Sequence, residues 1–155
     1  MTEPSRAMHQ TWLFLHLASV IVWIGGMSFA HFCLRPAAVA TLQPPQRLPL
    51  MSSALGRFFV IVGWSIALLW VSGIAMFVEA FSAGARPPWN WNAMAAIAAV
   101  MTIIFAVIVL RRHPHMREAL EAGDLPAAGA ALGDIRRLVV LNLVLGWVVV
   151  ALAAL

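Results

Sequence analysis

Four long apolar stretches dominate this sequence and limit what the chain can fold into. They cover about residues 11–34, 58–81, 93–110 and 138–155. At about 1.5 Å per residue, the first two are long enough to cross the roughly 30 Å hydrocarbon core of a bilayer as helices. The last two have about 18 residues each, which is short but sufficient for a helix with little tilt. Hydrophobic residues make up 63% of the chain and charged residues 10%, whereas soluble domains carry about 25% charge. The sequence therefore predicts an all-α integral membrane four-helix bundle, with residues 1–155 as a single domain.

Other protein classes fit the sequence poorly. No ten-residue segment alternates apolar and polar residues as an outer-membrane strand does. The net charge of +4 comes from Arg residues placed between apolar runs, so we expect no nucleic-acid partner, which would need a soluble basic face. Cys33 is the only cysteine, which excludes an intramolecular disulfide and a CxxC motif. The lipid bilayer is the partner that the composition requires.

The distribution of Arg predicts the orientation in the membrane. Eight Arg residues lie in the predicted first and third loops: Arg35, Arg47, Arg57, Arg111, Arg112, Arg117, Arg136 and Arg137. Only Arg6 and Arg86 lie on the opposite side. The positive-inside rule then predicts that both termini are periplasmic and that the first and third loops are cytoplasmic. The expected location is a bacterial-type inner (plasma) membrane, crossed several times.

Prolines and polar residues mark the predicted connections. The first loop contains Pro36, Pro44, Pro45 and Pro49, and we expect these residues to stop the first helix from continuing. The third loop is predicted to run from residue 111 to residue 137, with a helical turn or two near residues 117–122.

Polar and sulfur-bearing side chains share one face of the first span. At about 100° per residue, this stripe comprises His9, Trp12, His16, Val20, Trp23, Met27 and His31. Neutral imidazole binds copper, zinc or haem iron, and thioether sulfur suits Cu(I) or haem. His16, Met27 and His31 are accordingly the candidate metal ligands. The alternative is that the stripe only packs against neighbouring helices.

Met94 in the third span supplies a second candidate ligand. Counting inward from the outer ends of their spans, His16 and Met94 both lie within roughly 10 Å of the same surface. They could therefore form a haem-binding pair across the bundle. No other span contains a His, so one chain cannot supply a bis-His haem site. In the fourth span, Asn142 is expected to donate a hydrogen bond across the bundle.

The segment HLASVIVWIGG, residues 16–26, resembles the first span of the copper-resistance protein D (CopD) membrane domain. It also resembles, more weakly, the HemJ-type four-helix haem b proteins. Two further segments are similar to the CopD group. One is the entry to the second span, Arg57-Phe58-Phe59, followed by Gly73. The other is in the fourth span, Arg136-Arg137-Leu138, followed by Asn142 and Gly146. Both groups usually carry a Lys in the third span, whereas this chain contains none.

The resemblance to CopD implies an inner-membrane protein for copper passage or copper homeostasis, with copper as the bound ion. The first alternative is a haem b protein that uses His16 in electron transfer or haem handling. The second is a ligand-free structural or assembly subunit. We expect no enzymatic activity, and any activity would be that of a HemJ-like haem-dependent oxidoreductase. A periplasmic copper carrier or a membrane redox partner is the expected protein partner, and homo-oligomerisation is left open.

Overall fold

The predicted apolar stretches lie in long helices of the computed structural model, which describes residues 3–154 and the side chains of residues 6–154. The elements are α1 Glu3–Phe29, a π-helical turn Ala30–Leu34, α2 Arg35–Thr41, α3 Pro44–Ser82, α4 Trp89–Val107, a second π-helical turn Ile108–Arg112, α5 His113–Glu121 and α6 Leu125–Ala153. No strand occurs within these described residues. Leu155, the last residue of the fourth predicted stretch, lies outside them.

These elements join into four continuous helices that are long and apolar enough to cross a membrane. They cover Arg6–Thr41, Pro44–Ser82, Trp89–Glu121 and Leu125–Ala153. The all-α, four-helix membrane fold predicted from the sequence is therefore confirmed. Each helix extends beyond its predicted apolar stretch, because a helix does not have to end where it leaves the hydrocarbon.

The prediction that prolines end the first helix was wrong. The chain stays helical to Thr41, and only Leu42 and Gln43 separate it from α3. Pro36 follows a π-helical turn in which the Arg35 N–H donates to the Ala30 carbonyl. This shift in hydrogen-bond register lets a proline follow without breaking the helix. Pro44 begins α3. The missing N–H of a proline costs nothing there, because N–H groups in the first turn have no carbonyl partner within the helix.

The predicted third loop is also mostly helical. A second π-helical turn precedes Pro114 in the same way, with the His113 N–H donating to the Ile108 carbonyl. The helical turn expected near residues 117–122 lies in α5, which ends at Glu121. The connection that remains is short, and Asp124 caps α6 by accepting a hydrogen bond of 2.9 Å from the Ala127 N–H.

The bundle is built from two helix pairs. α1 packs chiefly on α3, while α4 and α5 pack on α6, which also contacts α1 and α3. Small residues allow close approach between helices: a Cβ at Gly146 would lie 3.0 Å from Ile24 Cγ1. Asn142 donates a 3.1 Å hydrogen bond to the Met101 carbonyl, which confirms the donation across the bundle expected from the sequence.

The antiparallel arrangement gathers eight of the ten Arg residues toward one end of the bundle, hereafter the Arg-rich end. These residues are Arg35, Arg47, Arg57, Arg111, Arg112, Arg117, Arg136 and Arg137. Asp134 lies among them, 3.3 Å from Arg112 and 3.7 Å from Arg137. The opposite end carries His9 and Glu79.

A candidate metal-ligand site between α1 and α3

His16 lies on the face of α1 that packs against α3. Its Nδ1 is 3.1 Å from the Ser72 hydroxyl oxygen, and Ser72 is completely buried. Gly73 faces the edge of the same ring, since a Cβ at Gly73 would lie 3.3 Å from His16 Cε1. The imidazole is therefore held between the two helices, with a hydrogen-bonding partner on one side and a glycine that leaves room for it.

The surroundings of Ser72 favour one position for the proton on the His16 ring. The Ser72 hydroxyl oxygen lies 2.7 Å from the Leu68 carbonyl and 3.1 Å from the Leu69 carbonyl. A serine hydroxyl has one hydrogen, which it donates to a carbonyl of its own helix. The oxygen can then only accept from His16 Nδ1–H. In the neutral ring Nε2 keeps its lone pair, the arrangement typical of a histidine that binds a metal.

A second histidine contact lies seven residues away along both helices. His9 Nδ1 is 2.9 Å from Glu79 Oε2, with 37% of the His9 side chain and 25% of the Glu79 side chain exposed. Neither Glu79 nor Ser72 was predicted as a partner of these histidines. The step from Ser72 to Glu79 on α3 equals the step from His9 to His16 on α1, but this match becomes visible only once the register of the two helices is known.

The other two predicted copper ligands lie farther along the first long helix. Met27 is 2% exposed and belongs to the apolar core. It is eleven residues, or about 16 Å, from His16 along the helix axis. His31 is half-buried and its ring packs edge-on against Phe32 at 4.8 Å. It lies in the π-helical turn. The angle about the helix axis between Met27 and His31 therefore differs from that in a regular α-helix.

Met94 lies nearer the periplasm-predicted end of the bundle than His16 does. Trp70 Nε1 donates to Thr102 Oγ1 at 3.2 Å, which places these two residues near the same level of the bundle. Met94 is eight residues outward from Thr102, whereas Ser72 is only two residues outward from Trp70. At about 1.5 Å per residue, Met94 is displaced outward from the level of His16 by about 9 Å. The hydrogen bond of the His16 ring and its contact with Gly73 both involve α3.

The described part of the chain holds no cluster of three or more His, Cys, Asp or Glu side chains that could bind a metal together. The arrangement at His16 therefore differs from a closed structural metal site, in which about four ligands surround the ion. It provides one oriented imidazole, with thioether and imidazole groups spaced along the same helix.

Residues 52–155 match the sequence model of the family described as copper resistance protein D. The match covers more than half of the chain and includes most of α3 and all of α4 to α6. The chain belongs to the copper resistance protein D family. No curated protein and no solved structure matches the chain.

The extent of the family match matters for the site. It includes Ser72, Gly73, Met94 and Asn142, but it begins after α1 and therefore does not cover His16, Met27 or His31. Membership supports a copper-resistance membrane protein in general terms. The candidate ligands of the first long helix rest on the sequence pattern and on the geometry at Ser72.

Proposed function

We propose that this copper resistance protein D family member handles copper within a bacterial-type inner membrane and that His16 is its principal ligand. The observation that carries the proposal is the hydrogen bond between His16 Nδ1 and Ser72, which leaves Nε2 with a lone pair. His16 is half-buried between α1 and α3, and its fixed ring orientation favours metal binding over that of a freely rotating, exposed histidine. A periplasmic copper carrier is the partner class that suits this role.

Under this proposal, copper passes along the first long helix from His16 to Met27 and then to His31. Thioether sulfur and imidazole suit Cu(I), a soft ion that accepts few ligands. Because Met27 is 2% exposed, an ion passing it requires the helices to separate locally at that level. His31 follows, near the Arg-rich end. Copper passage thus implies successive binding steps rather than one permanent site.

The direct test is to replace His16 with Ala and to measure bound copper in the purified protein by mass spectrometry. We expect His16→Ala to lose most of its copper. His115 is exposed, so His115→Ala is the matched control and should keep wild-type copper content. Full copper occupancy in His16→Ala would show that the ligand has been assigned incorrectly.

Met27→Leu tests the path separately from the site. Leucine keeps a similar volume and removes the sulfur, so the core should remain packed. We expect copper binding at His16 to persist while cellular copper accumulation falls. Unchanged accumulation would remove Met27 from the path.

Haem b binding is the second candidate function, favoured by the same oriented His16 imidazole, which would also suit haem iron as an axial ligand. Met94 lies about 9 Å farther outward along the bundle than His16, and its side chain would have to span this distance to provide the second haem ligand. A Soret band in protein purified in mild detergent, shifted by Met94→Leu, would support haem. A colourless preparation would exclude it, and a preparation that also lacks copper would favour a ligand-free assembly subunit.

A further inference from the structure

A groove runs along the outside of the bundle between α3 and the α4–α5 side, away from His16. Its apolar part encloses about 640 Å³ and is lined by Phe59, Gly63, Trp64, Ala67, Phe105 and Val109, among others. A second part of about 430 Å³ is lined by Ser52, Ser53, Arg57, Arg117 and Glu121, among others. Gly56, His113 and Arg117 border both parts, so they form one continuous groove.

The apolar part has the length of one membrane leaflet. It extends along α3 from Gly56 to Ala67, which is about 16 Å at 1.5 Å per residue. Half of the roughly 30 Å hydrocarbon core of a bilayer is about 15 Å. The polar part begins at the level of Arg57, where an acyl chain of that length would end.

The walls of the groove are suited to an acyl chain. Gly63 has nothing within 4 Å of the position that a Cβ would occupy, and Trp64 beside it is 72% exposed. At the polar end, the His113 Nε2–H donates to the Ser52 carbonyl at 3.0 Å and the His113 ring packs edge-on against Phe59 at 5.4 Å. These contacts hold α5 against α3, so the two sides of the groove are tied together.

The polar part carries two cations and one carboxylate. Arg57 is exposed and, among the described residues, has no carboxylate within ion-pair distance. Arg117 is 3.8 Å from Glu121, and both side chains are more than half exposed, so this pair is weak. Arg guanidinium groups bind phosphate through paired hydrogen bonds. Arg57 and the weakly paired Arg117 thus lie where a lipid phosphate would be.

We propose that this groove binds one anionic phospholipid from the leaflet at the Arg-rich end. Arg57 and Arg117 hold the phosphate, and one acyl chain lies along Gly63 and Trp64. The leaflet-matched length and the change from apolar to cationic lining at the acyl-chain boundary select a phospholipid over a soluble anion. This site is separate from His16 and does not depend on copper binding.

Native mass spectrometry of protein released from mixed phosphatidylglycerol and phosphatidylethanolamine nanodiscs tests the proposal. Wild-type protein should retain one phosphatidylglycerol molecule in preference to phosphatidylethanolamine. R57Q/R117Q should lose that preference by tenfold or more. R111Q/R136Q removes the same charge from two exposed residues outside the groove lining and should keep it. Equal lipid retention by the two double variants would overturn the proposal.

Gly63→Phe tests the acyl-chain part without changing charge. Phenylalanine at this open position should fill the groove and lower retention of both lipids severalfold. Gly25 also has nothing within 4 Å of its Cβ position and lies outside the groove, so Gly25→Phe is the matched control. Unchanged lipid retention in Gly63→Phe would reject the placement of the acyl chain. Detection of a second copy of the protein chain bound at the groove in place of lipid would reject the proposed occupant.

Discussion

Ser72 illustrates how one small residue can set the chemistry of another. Its hydroxyl hydrogen goes to a carbonyl of α3, so its oxygen is available only as an acceptor for His16. Partners of this kind fix the orientation and tautomer of metal-binding histidines, and their loss typically lowers metal affinity by about 10- to 100-fold.

Replacing Ser72 with Ala should therefore lower Cu(I) affinity by about 10- to 100-fold without removing the ligand. Affinity can be measured by competition with a chromophoric Cu(I) chelator. Ser65 is the matched control, because it is a buried serine on the same helix that donates to the Ile61 carbonyl of its own helix. Equal affinities for Ser72→Ala and Ser65→Ala would show that the hydrogen bond does not orient the ligand.

The sequence could identify His16 but not its partners. A histidine within an apolar stretch stands out, since polar side chains in a membrane are rare and face the bundle interior. Serines such as Ser72 are common in membrane helices and give no comparable signal. Pairing Ser72 with His16, or Glu79 with His9, requires the register between α1 and α3, which the sequence alone does not supply.

At the level of helices, Gly25 and Gly26 are neighbours in sequence with opposite surroundings. A Cβ at Gly26 would collide with the Phe58 ring on α3, whereas a Cβ at Gly25 would have nothing within 4 Å. Gly26→Ala should lower the free energy of unfolding by about 1–3 kcal/mol, because the Phe58 ring would have to turn out of its packed position.

Thermal unfolding in detergent can compare the two variants directly. Gly25→Ala should leave the unfolding temperature unchanged or raise it slightly, because alanine favours helix more than glycine does. A Gly26→Ala protein as stable as Gly25→Ala would mean that Phe58 moves without cost and that this contact does not fix the separation of α1 and α3.

Helix number was predictable because it depends on the length of apolar stretches, but helix ends were not. Pro36 and Pro114 resemble loop residues in the sequence. In the structure each follows a π-helical turn, which adjusts the hydrogen-bond register before the proline. Pro44 is placed in the first turn of α3. Whether a proline interrupts a helix or begins one depends on packing that the local sequence does not report.

At the scale of the whole molecule, the asymmetric Arg distribution predicts the orientation. Reporter fusions after Gln43 and Gly123 should be cytoplasmic, and a fusion after Gly84 should be periplasmic. Fusions to alkaline phosphatase report the periplasmic side, and fusions to a fluorescent protein report the cytoplasmic side. Phosphatase activity at Gln43 or Gly123 would reverse the orientation and would place His9 and Glu79 on the cytoplasmic side.

The short connections have a consequence for recognition from the aqueous phases. α3 alone has 39 residues, about 58 Å of helix, whereas a bilayer with its headgroups is about 40–45 Å thick. Helix ends, and not loops, therefore form much of what projects into water. A soluble partner that docks there meets a preformed surface that loses little conformational entropy on binding. Its specificity would then depend on the spacing between rigid helix ends, which an insertion into the two-residue connection at Leu42 and Gln43 would change.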